Sequence, residues 1–277
     1  MYKSSAFYKN IFKGINLRAK QLFHKQHKKV NINWFLIKYL KHLPPDKIHC
    51  HQLLSHETYF YSGPGFLHGL QEIFIDEIYN QQLPENAYII DCGAYIGLSV
   101  IYLKSICHSA HIVCFEPDKK NFDLLQKNIL SHQLKNIDAR EEAVWIETTS
   151  LNFLQKGSMD SKIVDNTSTE SITVKATRLK NYLDQNVDFL KMDIEGAEYS
   201  VLKDIEEKLH YVKNMFVEYH GSFAQNHELL EIFQIIVKSG FAFYVREAAV
   251  NYTQPFLHKN AGIDYDVQLN IFCFRKF

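Results

Sequence analysis

Acidic and glycine residues lie together at residues 91–97 (DCGAYIG), where a short apolar run ends. Glycine allows the sharp turn and the close backbone approach that a cofactor needs between a strand and a helix. A dinucleotide-binding turn would begin with glycine, whereas this one begins with Asp91. An acid at that point suits a ligand with positive charge, such as the ammonium and sulfonium groups of S-adenosylmethionine. The glycines alone are weak evidence, because many such turns are only structural.

A second acid, Glu116, ends the next apolar run, 25 residues after Asp91. A carboxylate at this place in an α/β protein can accept hydrogen bonds from the two hydroxyls of a ribose. The other interpretation is an exposed glutamate at the end of a strand. With a glycine turn upstream, the spacing favours the ribose role.

Two later polar clusters also follow apolar runs. Asp193 and Glu195 come directly after one run, and Glu218 and His220 end another. Because ligands of open α/β sheets bind beyond the carboxyl ends of the strands, we expect these side chains to face one pocket. His220, oriented by Glu218 or Asp193, is the candidate base that takes a proton from an acceptor hydroxyl. A single histidine in such a place is more often structural.

A divalent cation is the alternative means of acidifying that hydroxyl. Mg²⁺ held by Asp193, Glu195 and Glu218 would act in this way. The 14 histidines and five cysteines show no zinc spacing, and no closed ligand set is visible. We therefore assign no metal ligands and keep Mg²⁺ as the alternative cofactor.

Strand and helix alternate along the part of the chain that carries these clusters. The last two strands have no helix between them, so they should pair antiparallel. The pattern predicts an α/β protein with the class I methyltransferase Rossmann-like fold, a mostly parallel seven-stranded sheet with a C-terminal antiparallel strand. The predicted strands are 88–92, 111–115, 138–144, 187–192, 214–219, 241–245 and 267–274. The predicted helices are 67–79, 97–106, 118–130, 197–210 and 227–239.

We expect the chain to have two parts. Residues 1–85 form a helical N-terminal extension with a basic arm at 1–45, and residues 86–277 form an S-adenosylmethionine-binding methyltransferase domain with a β-rich excursion at 145–176. Ten of the 31 Lys and Arg residues precede the first acid, Asp46. Apolar residues recur in the arm at three- and four-residue spacing, as in an amphipathic helix. The arm either packs on the domain, which is commoner, or makes a peripheral contact with an anionic membrane.

Composition narrows the class of protein further. Hydrophobic residues make up 46% of the chain and charged residues 22%, as in a globular enzyme. The formal net charge is zero, which argues against nucleic-acid binding by bulk electrostatics. The five cysteines show no CxxC pairing, so we expect core thiols in a reduced, cytoplasmic protein. No stretch reaches the roughly 18 apolar residues of a membrane span, and we expect none.

The segments quoted above together resemble the FkbM family of S-adenosylmethionine-dependent methyltransferases. The similarity extends from about residue 60 to the C-terminus, and the segment KMDIEGAE at 191–198 is quite specific. It implies a class I fold, O-methylation, and a small-molecule or glycan acceptor, often a sugar or another secondary metabolite. It also places the adenine of the cofactor near Glu142 and Ala143. The matching segments are 90–99 (IDCGAYIGLS), 115–118 (FEPD), 189–198 (FLKMDIEGAE) and 217–220 (VEYH).

Two departures from the family pattern concern ligand contacts. Tyr95 stands where asparagine is common, which should alter contacts with the amino-acid end of the cofactor. Residues 177–180 (TRLK) lack a carboxylate that some relatives use for the acceptor. The predicted cofactor-binding residues are Asp91, Gly93, Ala94, Tyr95, Gly97, Ser99, Glu116, Glu142, Ala143 and Asp193. The predicted catalytic residues are His220, Asp193, Glu195 and Glu218.

These observations predict an enzyme that transfers a methyl group from S-adenosylmethionine to an acceptor oxygen. The alternative is a non-catalytic S-adenosylmethionine-binding or scaffold protein in a glycan-assembly complex. The acidic segment 193–198 and His220 count against it, because binding alone does not need them. A nicotinamide-dependent dehydrogenase is disfavoured by Asp91.

Overall fold

Aliphatic runs that can be buried on both faces form the centre of the sheet, as parallel strands between helices require. Ile89 and Ile112 contribute to the apolar core on one face, and Ile90 and Val113 contribute to the core on the other. All four side chains are buried. The alternation of neighbouring residues between two cores explains why these strands are apolar along their whole length.

The computed structural model describes residues 30–154, 162–163, 171–257, 259–260 and 265–275. Most of the predicted basic arm and part of the predicted β-rich excursion lie outside the described residues. The strands are β1 (His49–Leu53), β2 (His56–Phe60), β3 (Tyr88–Cys92), β4 (His111–Phe115), β5 (Ile137–Arg140), β6 (Ala143–Trp145), β7 (Thr149–Leu154), β8 (Lys162–Ile163), β9 (Ser171–Arg178), β10 (Val187–Met192), β11 (Val212–Gly221), β12 (Phe241–Glu247), β13 (Tyr252–Gln254), β14 (Lys259–Asn260) and β15 (Val267–Arg275). The α-helices are α1 (Trp34–Lys41), α2 (Gly63–Gly69), α3 (Leu98–Ile106), α4 (Lys119–Ser131), α5 (Glu198–Ile205) and α6 (Asn226–Lys238).

The main sheet has seven strands in the order β12-β15-β11-β10-β3-β4-β5. Strands β5, β4, β3, β10 and β11 pair in parallel. Strand β15 lies antiparallel between β11 and β12. The described residues between β12 and β15 contain no α-helix that could serve as the crossover of a parallel pair. The predicted mostly parallel seven-stranded sheet with a C-terminal antiparallel strand is confirmed.

Local signals begin and end the helices next to the sheet. The carboxylate of Asp118 accepts hydrogen bonds from the backbone N–H groups of Lys120 and Asn121, which caps α4 as its position predicts. Gly240, with φ of +83°, follows α6 and ends it. The helix predicted at 197–210 is α-helical only in α5 and continues as a 3₁₀-helix.

The helix predicted at residues 67–79 begins and ends earlier. The hydroxyl of Ser62 accepts a hydrogen bond from the backbone N–H of Gly65, so α2 begins at Gly63. The helix then widens into a π-helix at Leu70–Ile75. Glu77 has φ of +50°, a conformation in which a right-handed helix cannot continue.

The N-terminal extension contains a β-hairpin that the sequence analysis did not predict. Strands β1 and β2 pair antiparallel, and their buried residues Leu53 and Phe60 belong to the same apolar core as α3. The fully buried Asn128 of α4 donates hydrogen bonds to the carbonyls of Tyr59 and Ile96 and accepts one from the N–H of Tyr59. The extension and the sheet therefore share one core. The division at residue 85 stays a prediction.

The third predicted strand, 138–144, is divided between two sheets. Strand β5 belongs to the main sheet, whereas β6 belongs to a four-stranded sheet in the order β6-β9-β7-β8. The chain changes sheets at Glu141 and Glu142. Since β5 lies beside β4, this change of direction carries residue 142 past the carboxyl end of β4.

No helix in the described ranges is long and apolar enough to cross a membrane.

Candidate active site

A cavity of about 350 Å³ lies at the carboxyl ends of β3, β4, β10 and β11. Open α/β sheets bind ligands at this place, and the volume falls in the range of small-molecule sites. Two predicted cofactor residues, Asp91 and Gly97, do not line the cavity. The predicted residues that do line it are Gly93, Ala94, Tyr95, Ser99, Glu116, Glu142, Ala143, Asp193, Glu195, Glu218 and His220.

Gly93 lets the turn after β3 pass very close to β10. Its φ is +85°, and a Cβ at this position would lie 1.8 Å from the carbonyl oxygen of Asp193. The backbone N–H groups of Gly93 and Ala94 donate to the carbonyl of Phe115 at 3.1 and 2.9 Å. Only glycine tolerates both the positive φ and the close approach to Asp193. The turn is therefore fixed between its two neighbouring strands.

Asp91 supports the cavity from behind. Its fully buried carboxylate accepts a hydrogen bond of 2.5 Å from the hydroxyl of Ser99, and it lies 3.3 Å from the Nζ of Lys191. The predicted direct contact of Asp91 with a cationic ligand does not fit this geometry, because the carboxylate is already paired with a buried ammonium. Gly97 is also structural, since a Cβ there would overlap the side chain of Leu125.

Lys191 is a charged residue inside an apolar strand. Its Nζ donates to the carbonyl of Gly93 at 2.7 Å and lies 3.3 Å from a carboxylate oxygen of Asp193. Burial opposes its charge, but the carboxylates of Asp91 and Asp193 outweigh burial and raise the pKa of Lys191 well above its usual value. The ammonium therefore ties the turn after β3 to the turn after β10. The sequence analysis assigned it no role, although a lysine within a buried strand is itself unusual.

Glu116 fixes the turn after β3 and faces the cavity. Its two carboxylate oxygens accept hydrogen bonds from the backbone N–H groups of Tyr95 at 2.8 Å and Asp118 at 2.9 Å. Burial raises the pKa of Glu116 to about 8, although these two hydrogen bonds act against the shift. Each carboxylate oxygen has a second lone pair. The side chain can therefore accept further hydrogen bonds from a ligand, as the predicted ribose contact requires.

The predicted adenine end of the cavity is mainly apolar. Ala143 and Val144, both buried, line it together with Glu142 and the ring of Phe115. An apolar wall beside Glu116 suits a flat purine ring joined to a ribose.

The other end of the cavity contains all four predicted catalytic residues. The Nε2 of His220 lies 3.6 Å from a carboxylate oxygen of Glu195 and 3.6 Å from one of Glu218. Asp193, Glu195 and His220 each offer one ligand atom within 4.8 Å of the other two. The ends of β10 and β11 thus bring together three carboxylates and one imidazole.

Glu198 orients the imidazole from the opposite side. Its carboxylate is fully buried, lies 3.3 Å from the Nδ1 of His220, and accepts backbone hydrogen bonds from Ile194 and Gly196. Burial opposes protonation of His220, but Glu198 and the nearby carboxylates outweigh it and raise its pKa to about 10. A protonated imidazole cannot accept another proton. The predicted role of His220 as a base therefore requires that its proton be displaced first.

The N-terminal extension supplies a wall of the cavity that the sequence analysis missed. Glu72 lies 3.5 Å from the Nδ1 of His68 and 3.8 Å from a guanidinium nitrogen of Arg246. The polar residues His68 and Glu72, four positions apart in an otherwise apolar segment, could have indicated this wall from the sequence. The residues of the extension that line the cavity are Gly65, His68, Gly69, Glu72, Ile73 and Tyr79.

The strand order of the sheet and the cavity at the carboxyl ends of its parallel strands identify this protein as a class I methyltransferase by its fold. The family model of the methyltransferase FkbM domain matches residues 91–243, which is more than half of the chain. The chain belongs to the FkbM methyltransferase family. This membership supports S-adenosylmethionine as its methyl donor.

Two relatives that are named methyltransferases each match more than half of this chain. Methyltransferase 1 of Beauveria bassiana is 28% identical over 198 residues, which cover 60% of this chain and 78% of that protein. Methyltransferase sdnD of Sordaria araneosa is 29% identical over 187 residues, covering 53% and 72%. A crystal structure of a methyltransferase FkbM from Methylobacillus flagellatus is similar with a TM-score of 0.48 and 16% identity; the match covers 85% of this chain and 58% of that one. A 50-residue segment is 46% identical to part of the AMB antimetabolite synthetase AmbE of Pseudomonas aeruginosa, of which it covers 2%.

Proposed function

We propose that this methyltransferase O-methylates a hydroxyl group of a sugar, glycan or other secondary metabolite. The observation that carries the proposal is the position of His220 and three carboxylates at the opposite end of the cavity from Glu116 and the apolar adenine wall. Such a cluster suits a hydroxyl that must lose a proton as it is methylated.

The residues present fit S-adenosylmethionine at the first end of the cavity. Glu116 offers the ribose its free lone pairs, the glycine turn allows close approach, and Ala143 and Val144 form an apolar wall for the adenine. When bound, S-adenosylmethionine supplies the methyl group, whose bond to sulfur breaks with the electron pair left on sulfur as a bond to the acceptor oxygen forms. Positioning of the two reactants accounts for most of the rate enhancement in such a transfer.

The proton of the acceptor hydroxyl passes to the carboxylate cluster around His220. Asp193 and Glu218 line the cavity, and their side chains are 23% and 18% exposed, so each can contact an acceptor hydroxyl. His220 is held within the cluster by Glu198. The sequence-based alternative, in which Mg²⁺ on Asp193, Glu195 and Glu218 acidifies the hydroxyl, stays a prediction.

Product analysis tests the proposal. The purified protein is incubated with methyl-labelled S-adenosylmethionine and a panel of glycans and hydroxylated metabolites, and products are examined by NMR for an O-methyl signal. Asp193→Asn is compared with Glu231→Gln, an exposed carboxylate outside the cavity. We expect O-methyl product with the wild type and the control, and much less with Asp193→Asn. Labelled product methylated only on nitrogen or carbon would contradict the proposal.

Retention of S-adenosylmethionine without any methyl transfer would instead favour the scaffold alternative. Thermal unfolding with S-adenosylmethionine, S-adenosylhomocysteine or NAD separates the cofactors, because a bound ligand raises the unfolding temperature. Stabilisation by NAD alone would exclude the methyltransferase assignment for this cavity.

Peripheral contact with an anionic membrane is a second part of the proposal. In α1, Trp34, Phe35 and Tyr39 are exposed, whereas Leu40 is buried in the core. Lys38 and Lys41 lie on the same helix. Exposed aromatic residues beside lysines suit a membrane interface with negative charge, and such a contact would bring the cavity to a lipid-linked acceptor.

A further inference from the structure

Three side chains at the second end of the cavity have the composition of a metal site. Asp193 and Glu195 follow β10, and His220 lies near the end of β11. One ligand atom from each lies within 4.8 Å of the other two. Carboxylate oxygen and imidazole nitrogen are the commonest protein ligands of divalent cations. Because Asp193 and Glu195 lie in the short turn between β10 and α5 and His220 lies in the neighbouring strand β11, the sheet brings the three residues to one place.

The orientation of His220 is that of a metal ligand. Metal-binding histidines nearly always donate the N–H of their other ring nitrogen to a carboxylate or carbonyl group. Here Glu198, which is fully buried and held by two backbone N–H groups, lies 3.3 Å from Nδ1. This contact directs Nε2 towards Glu195 and Glu218. The side chain of His220 is only 2% exposed, and the residue lines the cavity.

The distances around Nε2 are too long for hydrogen bonds and suit ligands that share an ion. Nε2 lies 3.6 Å from the nearest oxygens of Glu195 and Glu218. Two ligands about 2.0–2.2 Å from one cation are about 3.0–3.6 Å apart when they are adjacent in its coordination sphere. A cation between these groups would therefore need only small side-chain movements.

The charge around the site also favours a cation. Asp193, Glu195, Glu198 and Glu218 surround His220, and the ammonium of Lys191 is shared with Asp91. Four carboxylates therefore lie around one imidazole, with one ammonium beside them. A divalent ion would bring positive charge to this acidic end of the cavity.

We propose that Asp193, Glu195 and His220 bind a divalent transition-metal ion, with Mn²⁺ preferred over Mg²⁺. The preference follows from the imidazole ligand, since Mg²⁺ strongly favours oxygen ligands and water. Ion binding stands apart from the proposed methyl transfer, but its role in the reaction rests on that function. When bound, the ion would supply positive charge that lowers the pKa of an acceptor hydroxyl beside it. Glu218 would take the proton, and the methyl group would pass to the oxygen as its bond to sulfur breaks and the electron pair stays on sulfur.

Electron paramagnetic resonance of Mn²⁺ tests the site. The full-length protein is freed of metal with EDTA, the chelator is removed, and the protein is added to MnCl₂ while the signal of free aqueous Mn²⁺ is followed. We expect the signal to fall until one ion is bound per chain, and a roughly tenfold excess of Mg²⁺ to leave most of the Mn²⁺ bound. An unchanged signal would overturn the site, and complete release by Mg²⁺ would overturn the stated preference.

Matched variants identify the ligands. His220→Ala and Glu195→Gln should each weaken Mn²⁺ binding by at least about 10–100-fold, whereas the exposed controls His210→Ala and Glu231→Gln should leave it unchanged. Circular dichroism melting confirms that each variant is folded, and Glu195→Gln keeps the size of the side chain. Wild-type affinity in folded His220→Ala and Glu195→Gln would overturn the assignment.

Methyl transfer is measured in the same samples. Mn²⁺ binding without transfer to any acceptor would contradict the proposed function and leave the cation site standing. Full methyl transfer in EDTA, together with an unchanged Mn²⁺ signal, would overturn the cation site alone.

Discussion

The carboxylate of Glu116 serves the protein and its ligand at once. It accepts backbone hydrogen bonds from Tyr95 and Asp118, which hold the turn after β3 and the start of α4 in place. The residue also lines the cavity. Because burial raises its pKa to about 8, this carboxyl carries a proton at neutral pH in the protein alone.

We predict that S-adenosylmethionine binds more tightly as pH rises towards 8. In the predicted ribose contact the two hydroxyls would donate to the ionised carboxylate, so below its pKa of about 8 Glu116 would have to lose a proton on binding. Affinity should therefore fall by up to about tenfold per pH unit as the pH is lowered from 8 to 6. Calorimetric titration at several pH values measures it.

Glu116→Gln provides the control for this pH dependence. The variant keeps any dependence that arises from the amino group of the cofactor and loses the part due to the carboxyl. Glu116→Ala should weaken binding by about 1.5–3 kcal/mol. Equal pH profiles for the wild type and Glu116→Gln would refute the ribose role.

A second prediction concerns the buried ammonium of Lys191. Lys191→Met should lower the free energy of unfolding by about 3–5 kcal/mol, because it leaves the fully buried carboxylate of Asp91 without its cationic partner. Urea unfolding measures the loss. Lys203→Met, which removes an exposed lysine, should change stability far less, because solvent screens its ion pair with Glu231. Similar losses in the two variants would show that the buried pair has no special role.

Close approach of two turns is the main constraint at the scale of elements. Gly93 and Gly196 both have positive φ, but they differ in the space around them. A Cβ on Gly93 would overlap the backbone of Asp193, whereas one on Gly196 would make only ordinary contact with Tyr265. Gly196 is therefore a control that has the positive φ of Gly93 without its close approach to another turn.

We predict that Gly93→Ala destabilises the protein more than Gly196→Ala. The left-handed conformation alone costs about 1–2 kcal/mol for alanine, and this should be the whole effect at Gly196. At Gly93 the turns after β3 and β10 must also separate, which should add to the loss and weaken cofactor binding. Thermal unfolding and calorimetry of the two variants decide it, and equal losses would contradict the prediction.

The sequence predicted the elements whose signals are local. Strands β3, β4 and β10 and helix α4 were predicted from apolar runs and from the capping position of Asp118. The hairpin of β1 and β2 was not, because Asn128, nearly 70 residues further along the chain, holds it in place. The separation of β5 and β6 was missed for a similar reason, since pairing with β9 is a long-range contact.

The sequence predicted which strand ends form the site, but it did not predict which side chains contact one another there. Glu116, Asp193, Glu195, Glu218 and His220 do line one cavity, because parallel strands align their carboxyl ends. The role of each side chain depends on the side chains that it contacts, and the spacing of residues along the sequence does not show those contacts. Asp91 and Lys191, which come together through strand register, show this most clearly.

At the scale of the whole molecule, the extension and the sheet are joined through α4. Asn128→Ala should destabilise the protein by about 2–4 kcal/mol, because it leaves buried backbone groups of Tyr59 and Ile96 without partners. Gln126→Ala, on the exposed side of the same helix, is the control and should have little effect. Chemical unfolding measures both, and a loss no larger than that of Gln126→Ala would contradict the role of Asn128.

The proposed membrane contact is tested with vesicles. The full-length protein should co-sediment with anionic vesicles at low salt and be released at high salt, since each lysine near the surface contributes about 1 kcal/mol. Phe35→Ser should reduce binding, because the side chain is 77% exposed on α1, whereas Leu230→Ser on the exposed face of α6 should not. If the wild type stays in the supernatant at low salt, the arm does not bind membranes.

The wall that α2 and its π-helix give to the cavity has a consequence for engineering the enzyme. The FkbM match begins at residue 91, so Glu116, Asp193 and His220 lie within the matched region, while His68, Glu72 and Tyr79 precede it. Substitutions in this N-terminal wall can therefore reshape the cavity while the residues of the cofactor end and the carboxylate cluster stay unchanged.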